Sequence, residues 1–174
     1  MSTIYVCPLA RLQQTVTETR ARYVVTAINP WSIPDTPDGV EPENHLKLAI
    51  NDINEPRHDL VHPEPRHIEQ LIGFARRWNQ DGPLVVHCLA GISRSSASAF
   101  IIACALSGRA DEMAIARHLR SASRTAYPNR LMVRHADDLL ARNGRMIAAI
   151  EALPPPLAAL EAELFSLPSE FKSD

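Results

Sequence analysis

The sequence predicts an α/β fold in which a central, mostly parallel sheet is flanked by helices. Short apolar runs rich in β-branched residues alternate with stretches that have helical spacing. The runs predicted as strands are 3–7, 23–28, 45–50 and 84–87. Strands separated by helices favour parallel pairing, because a parallel neighbour needs a crossover connection. A chain of 174 residues suits one hydrophobic core, so we expect a single domain over residues 1–174.

The first half of the chain supplies three of these strands. Leu12 and Val16 lie one turn apart and predict a helix over 9–20. Residues 23–28 are apolar almost throughout, which is typical of a strand covered on both faces. The stretch 29–44 contains four prolines and is predicted to be a long loop. The third strand, 45–50, ends directly before Asn51 and Asp52.

The second half is predicted to be mainly helical around the strand 84–87. An amphipathic helix precedes this strand, and a helix over 95–106, apolar on all sides, follows it. Further helices are predicted at about 111–121, 129–143 and 145–153. Leucines at helical spacing after three consecutive prolines predict one more short helix, so we expect 154–174 to be a C-terminal helical extension.

Composition narrows the function classes. The formal net charge is −2, which gives no reason to expect nucleic acid as a partner. The longest apolar run, 97–106, is too short to span a membrane, and the first residues lack the pattern of a signal peptide. The three cysteines, an odd number, fit a reducing compartment, so we expect a cytoplasmic protein. Abundant alanine and arginine favour a bacterial source. The oligomeric state is not predicted.

The stretch 83–97 carries the chemistry. It reads as a buried strand, a tight loop containing glycine and the start of an apolar helix, with Cys88 and Arg94 at the two ends of the loop. A loop above a helix N-terminus can turn several backbone N–H groups towards one anion. The same field is expected to lower the pKa of Cys88 and make it a nucleophile. The planar guanidinium of Arg94 can hold two oxygens of a phosphoryl group.

These residues resemble a known family. His87 and Cys88, five intervening residues, then Arg94 and Ser95 resemble the Cys-x5-Arg signature of protein tyrosine phosphatases, most closely the small dual-specificity branch. The resemblance runs from about residue 21 to residue 140. It implies that backbone N–H groups of the loop bind the phosphate together with Arg94. The loop positions are Leu89, Ala90, Gly91, Ile92 and Ser93.

The resemblance also implies roles for neighbouring residues. Ser95 would hydrogen-bond the cysteine sulfur and help to break down a phosphoenzyme, although a serine is also common at a helix start. His87 would orient the loop. Asn129, after Tyr127 and Pro128, is similar to the Pro-Asn turn that supports this loop in dual-specificity enzymes, and helix capping explains an asparagine there equally well.

Two aspartates are candidates for the general acid. Asp52 follows a predicted strand, and ligand clefts of open α/β sheets lie at the carboxyl ends of strands. Its distance from Cys88 along the chain is longer than the family's usual spacing, which implies an insertion around 58–65. Asp59 is closer in spacing but has no strand before it. We therefore favour Asp52 over Asp59.

The predicted activity is hydrolysis of phosphate monoesters through a cysteinyl-phosphate intermediate, without a metal or another cofactor. The substrate would be a phosphorylated protein or a small phosphate ester. Phosphotyrosine is favoured, and phosphoserine or phosphothreonine is possible. The uncharged loop positions disfavour inositol phosphates. The alternatives are a phosphoinositide or other small-ester phosphatase, a non-catalytic phosphate-binding module and a rhodanese-type sulfurtransferase.

Overall fold

The computed structural model describes residues 2–108 and 111–172, and its centre is a five-stranded sheet. The strands are β1 Thr3–Pro8, β2 Tyr23–Ile28, β3 His45–Ala49, β4 Leu84–Cys88 and β5 Phe165–Pro168. Their spatial order is β3-β2-β4-β1-β5. The first four strands are parallel, and β5 runs antiparallel to β1 at the edge. The predicted mostly parallel sheet is therefore confirmed.

The described residues form six α-helices around the sheet. They are α1 Leu12–Thr19, α2 Pro65–Arg77, α3 Arg94–Leu106, α4 Glu112–Ala122, α5 Arg130–Leu139 and α6 Arg145–Glu151. The predicted helix 9–20 divides into a 3-10 turn at Leu9–Arg11 and α1. α1 packs on one face of the sheet through Leu12 and Val16, whereas the larger apolar core on the other face includes residues of α2 to α6.

The topology brings the carboxyl ends of the parallel strands together along one edge of the sheet. β4 lies between β1 and β2, and all five of its residues are buried. Cys88 is its last residue, and the buried helix α3 begins six positions later at Arg94. The carboxyl ends of β2 and β3 lie beside it, so Asn29 and Asp52 reach the same edge. This edge holds the site described below.

The predicted helical extension over 154–174 is wrong. Within the described residues, 154–164 contain no helix, and residues 165–168 form β5. Phe165 and Leu167 alternate with Ser166 and Pro168, and this period of two lets the apolar pair enter the core opposite Val6 and Ile4 of β1. Strand pairing thus prevailed over the leucine spacing, and the leucines at 157 and 160 remain exposed.

Among the helices of the described residues, none is long and apolar enough to cross a membrane.

Candidate active site

The loop between β4 and α3 has a conformation that depends on one glycine. Gly91 has a φ of +75°, a region that residues with a Cβ rarely adopt. A Cβ at this position would lie 2.9 Å from the backbone nitrogen of Pro8 and 3.0 Å from the carbonyl carbon of Cys7. The loop is therefore packed directly against the end of β1, and an alanine does not fit without a backbone shift.

The sulfur of Cys88 lies inside this loop. The residue is 2% exposed, yet it lines a cleft of about 530 Å³ at the sheet edge. The backbone N–H of Gly91 donates to Sγ over 3.2 Å, and the hydroxyl of Ser95 lies 3.1 Å from Sγ. Both contacts stabilise a thiolate, since an anionic sulfur is the better acceptor. Ser95 thus stands where the resemblance implied.

Arg94 is also buried, at 3% exposure, and is held from behind. Its Nη1 donates to Oδ1 of Asn29 over 2.7 Å and to the carbonyl oxygen of Ile50 over 2.8 Å. Its Nε is buried and has no hydrogen-bond partner in the described part of the chain. A buried N–H without an acceptor is costly, and an anion in the loop would supply that acceptor. No sequence pattern indicated Asn29.

Asp52 lines the cleft and is oriented by two hydrogen bonds. Its Oδ1 accepts from the hydroxyl of Ser93 over 2.7 Å and from Nδ2 of Asn129 over 2.9 Å. Asn129 also caps α5, because its Oδ1 accepts from the backbone N–H of Met132 over 3.0 Å. Asn129 therefore caps a helix and contacts Asp52 with the same side chain. The contact from the Ser93 side chain was not predicted.

Asp59 lies elsewhere. Its side chain is 92% exposed, its carboxylate pairs with Nδ1 of the exposed His58, and it does not line the cleft. Asp52 lies close after the end of β3 and therefore reaches the cleft, whereas Asp59 lies in a loop away from it. Of the two candidates, Asp52 is the one beside Cys88.

His87 lies beneath the loop and is fully buried. Its Nε2 is 2.6 Å from Oγ1 of Thr26, and its Nδ1 is 3.4 Å from the carbonyl oxygen of Cys88. Burial lowers the pKa of His87 from 6.5 to about 4; the nearby Arg94 also lowers it, whereas the Cys88 carbonyl opposes the shift. The ring is therefore neutral near pH 7. A buried neutral ring suits a supporting role, as predicted for His87, and not proton donation to a substrate.

The C-terminal segment, defined as residues 154–168, forms part of the cleft. The backbone N–H of Ala162 donates to the carbonyl oxygen of Ala90 over 2.8 Å, and Ala159 and Leu160 line the cleft opposite the loop. These residues are far from the loop in sequence, so no motif indicated them. Within the described residues, no group of three His, Cys, Asp or Glu side chains is arranged to hold a metal ion.

Solved structures with the same fold are phosphatases. The crystal structure of DUSP15 superposes with a TM-score of 0.62 at 15% identity, covering 87% of this chain and 92% of that chain. For human DUSP28 the TM-score is 0.58 at 18% identity, covering 80% and 89%. For PTP-2 phosphatase of Cydia pomonella it is 0.57 at 15% identity, covering 93% and 92%. At these identities the likeness shows the fold.

Sequence comparison finds a match to one family model. No curated protein matches the chain significantly. The family model described as Protein-tyrosine phosphatase matches residues 52–129, a range that begins at the candidate acid and ends at the asparagine that orients it. With the fold and the cysteine–arginine loop, this match supports a protein tyrosine phosphatase domain over residues 52–129, and the chain has the fold of the DUSP15 and DUSP28 structures.

Proposed function

We propose that the protein hydrolyses phosphotyrosine in protein substrates through a cysteinyl-phosphate intermediate. One observation carries the proposal: the Cys88 sulfur, the unpaired Nε of Arg94 and the carboxylate of Asp52 meet in one cleft. A nucleophile, an oxyanion clamp and a proton donor are the three groups that two-step phosphoryl transfer requires.

In the first step the thiolate of Cys88 attacks phosphorus in line. The S–P bond forms while the bond from phosphorus to the phenolic oxygen breaks, and Asp52 gives its proton to that oxygen. Arg94 and the loop N–H groups hold the three equatorial oxygens and stabilise their charge. Both hydrogen bonds to Asp52 end on Oδ1, so Oδ2 is the oxygen that carries the proton.

In the second step water attacks the phosphorus of the intermediate. Asp52, now ionised, takes a proton from that water, phosphate leaves, and the bonding electrons return to sulfur. The hydroxyl of Ser95, 3.1 Å from Sγ, donates a hydrogen bond to the thiolate as it departs. This contact supports the role in phosphoenzyme breakdown that the family resemblance implies.

The lining of the cleft supports an aryl phosphate over a polyphosphate. Among the described residues that line it, Arg94 is the only one with a cationic side chain. A second phosphate group would find no partner there, whereas an aromatic ring can pack against Ile53, Leu60 and Leu89. Phosphoserine and phosphothreonine esters fit the same loop but offer less apolar surface.

The experiment is a rate measurement on three substrates with the wild type and Cys88→Ser. We expect the wild type to cleave a phosphotyrosine peptide faster than its phosphoserine counterpart, and to leave a polyphosphorylated inositol lipid nearly unchanged. Cys88→Ser should cleave none of them. Preferred turnover of the lipid would contradict the substrate class, and binding without turnover would identify a phosphate-binding module.

A further inference from the structure

The mouth of the cleft carries two exposed leucines. Leu160 is 96% exposed and Leu89 is 50% exposed, and both line the cleft that holds Cys88. Leu89 directly follows the nucleophile. Leu160 comes from the C-terminal segment, outside the residues matched by the family model. Exposed apolar side chains gathered at a functional cleft are typical of a binding surface.

Backbone hydrogen bonds hold Leu160 in place. The N–H of Leu157 donates to the carbonyl oxygen of Arg124 over 2.9 Å. The N–H of Ala162 donates to the carbonyl oxygen of Ala90 over 2.8 Å. These two contacts flank Leu160 on both sides and fix the chain against the phosphate loop. Because the backbone around Leu160 is already ordered, an apolar contact made here costs little backbone entropy on binding.

We propose that Leu89, Ala159 and Leu160 form an apolar docking surface for the residue next to phosphotyrosine in a protein substrate. The inference rests on the proposed function, because a phosphate bound in the loop places the neighbouring residues of a peptide at this mouth. The surface is continuous with the phosphate site and adds no charged side chain to it. The occupant is therefore an apolar side chain, such as leucine or methionine.

The test compares kcat/KM for two phosphotyrosine peptides that carry leucine or serine beside the phosphotyrosine. The wild type should prefer the leucine peptide about fivefold, the effect expected for partial burial of two apolar side chains. Leu160→Ser should remove most of that preference. The matched control is Leu157→Ser, which alters a half-exposed leucine of the same segment outside the cleft and should keep the preference.

The outcomes separate the two proposals. A wild type that cleaves both peptides equally would overturn the docking surface and leave the phosphatase assignment intact. A wild type that cleaves neither peptide would overturn the proposed function, and the docking surface with it. An equal loss of preference in Leu157→Ser and Leu160→Ser would also contradict a role specific to Leu160.

A second, independent observation lies beneath the loop, where three buried side chains and the partly buried Thr36 form a chain of hydrogen bonds. Oγ1 of Thr36 is 3.0 Å from Nδ1 of His45, and Nε2 of His45 is 2.7 Å from Oγ1 of Thr26. That hydroxyl is in turn 2.6 Å from Nε2 of His87, whose Nδ1 faces the Cys88 carbonyl. The strand order explains the arrangement, since Thr26 pairs with His87 across β2 and β4.

Only one set of proton positions satisfies this chain with neutral rings. The Cys88 carbonyl can only accept, so Nδ1 of His87 carries the proton and its Nε2 accepts from Thr26. The Thr26 hydroxyl then has its proton engaged and must accept from Nε2 of His45. Nδ1 of His45 finally accepts from the Thr36 hydroxyl. The two histidines are therefore opposite tautomers.

We infer that His45 is a positioning residue for the reaction. By donating to Thr26 it fixes the direction of the Thr26 hydroxyl, and this selects the tautomer of His87 that holds the Cys88 carbonyl. A fixed carbonyl keeps the following N–H groups directed at the phosphate. The relay, Thr36–His45–Thr26–His87, thus connects the proline-rich stretch 29–44 to the nucleophile.

Long-range ¹H–¹⁵N spectra of the histidine rings test the relay in the wild type. We expect His87 to be protonated on Nδ1 and His45 on Nε2. Thr26→Val should lower kcat/KM about tenfold and allow a second His87 tautomer, whereas Thr15→Val removes a buried hydroxyl outside the relay and should change neither. His45→Gln, which retains a donor, should keep more activity than His45→Leu.

The spectra do not depend on turnover, so the relay can fail while the proposed function stands. A wild-type His45 protonated on Nδ1 would overturn the inference without any variant. The same holds if Thr26→Val folds with the wild-type His87 tautomer and rate.

Discussion

The phosphate loop and the C-terminal segment face each other across the cleft but are held by different kinds of contact. The loop has contacts within itself, since the N–H of Gly91 donates to the sulfur three residues before it, and carbonyl oxygens of the loop also accept from the distant Leu9 and Tyr127. The segment is held by distant residues, through Ala162 to Ala90 and through β5 to β1. Chemistry is concentrated in the loop, and the segment supplies only backbone and apolar walls.

This difference predicts a ranking of effects. Changes in the loop and its direct partners should reduce the chemical step by orders of magnitude, because they remove charge stabilisation or proton transfer. Changes in the segment should alter rates by small factors, because they only shift a wall of the cleft.

The largest effect is expected for Arg94→Lys, about a 10³-fold loss of kcat/KM. A lysine ammonium cannot present the planar set of N–H groups that a guanidinium offers to a phosphate. In Arg94, Nη1 is held by Asn29 and Ile50, while Nε has no protein partner among the described residues and can bind the phosphate. Steady-state kinetics on an aryl phosphate measure the loss. Arg142→Lys, at a buried arginine paired with Glu112, is the control and should keep the rate. Less than a tenfold loss in Arg94→Lys would contradict the proposed clamp.

Asp52→Asn should cost about 10²-fold in kcat for a phosphate ester with a poor leaving group. An amide has no proton to give, although it can keep the contacts to Ser93 and Asn129 by its oxygen. The loss should shrink for a good leaving group, which needs no proton. Asp59→Asn is the matched control, and an equal loss in both variants would argue against Asp52 as the acid.

The relay beneath the loop should make stability depend on pH, whereas the C-terminal segment contains no histidine. Burial lowers the pKa of His45 from 6.5 to about 4, and Lys47 and His87 add to the shift; His87 has a similar value. Between about pH 6.5 and pH 4, the two histidines of the unfolded chain bind protons that they do not bind in the folded chain. Stability is therefore full above about pH 6.5 and falls as the pH drops towards 4.

The expected loss from pH 7 to pH 5 is about 2 kcal/mol for each histidine, roughly 30-fold in the unfolding equilibrium. Urea unfolding at the two pH values measures it. His45→Gln removes one titrating group, so its pH-dependent loss should be smaller by about 2 kcal/mol. An identical loss in the variant and the wild type would show that His45 is not held neutral by the fold.

Gly91→Ala should lower kcat/KM about tenfold and the free energy of unfolding by roughly 3 kcal/mol. The methyl group would meet backbone atoms of Pro8 and Cys7 in addition to the strain of the positive φ. Gly144→Ala has the same backbone strain, with a φ of +83°, but no atom within 4 Å. It should lose only about 1 kcal/mol and no activity. Equal stability losses in the two variants would contradict close packing of the loop on β1.

The smallest effect is expected in the C-terminal segment. Ala162→Pro removes the N–H that donates to Ala90 and should lower kcat/KM about threefold. Ala158→Pro, at an exposed residue of the same segment, is the control. A loss as large as that of Gly91→Ala would break the distinction between the loop and the segment.

Local patterns predicted most of the fold. β2 begins and ends where its apolar run does, and α3 follows from an apolar stretch bounded by the loop and Ser107. The exception is the C-terminal segment, where Leu157 and Leu160 have helical spacing but no face of the core to pack against. Its strand β5 depends on an open edge of β1, which the local sequence does not reveal.

The candidate site likewise has residues that a local sequence pattern predicts and residues that it does not predict. Cys88, Gly91 and Arg94 lie within seven positions, and their spacing is enough to indicate a phosphate loop. Asn29 directly follows β2 and His45 begins β3, and the strand order β3-β2-β4 connects these ordinary polar residues to the loop. Contacts of this kind depend on topology, so the sequence alone could not predict them.

The most direct test of the central claim is to trap the intermediate. Wild-type protein is mixed with a phosphotyrosine peptide, quenched within one turnover and digested for mass spectrometry. We expect one phosphoryl group on the sulfur of Cys88, and none in Cys88→Ser. A phosphoryl group on another residue, or full turnover by Cys88→Ser, would contradict it.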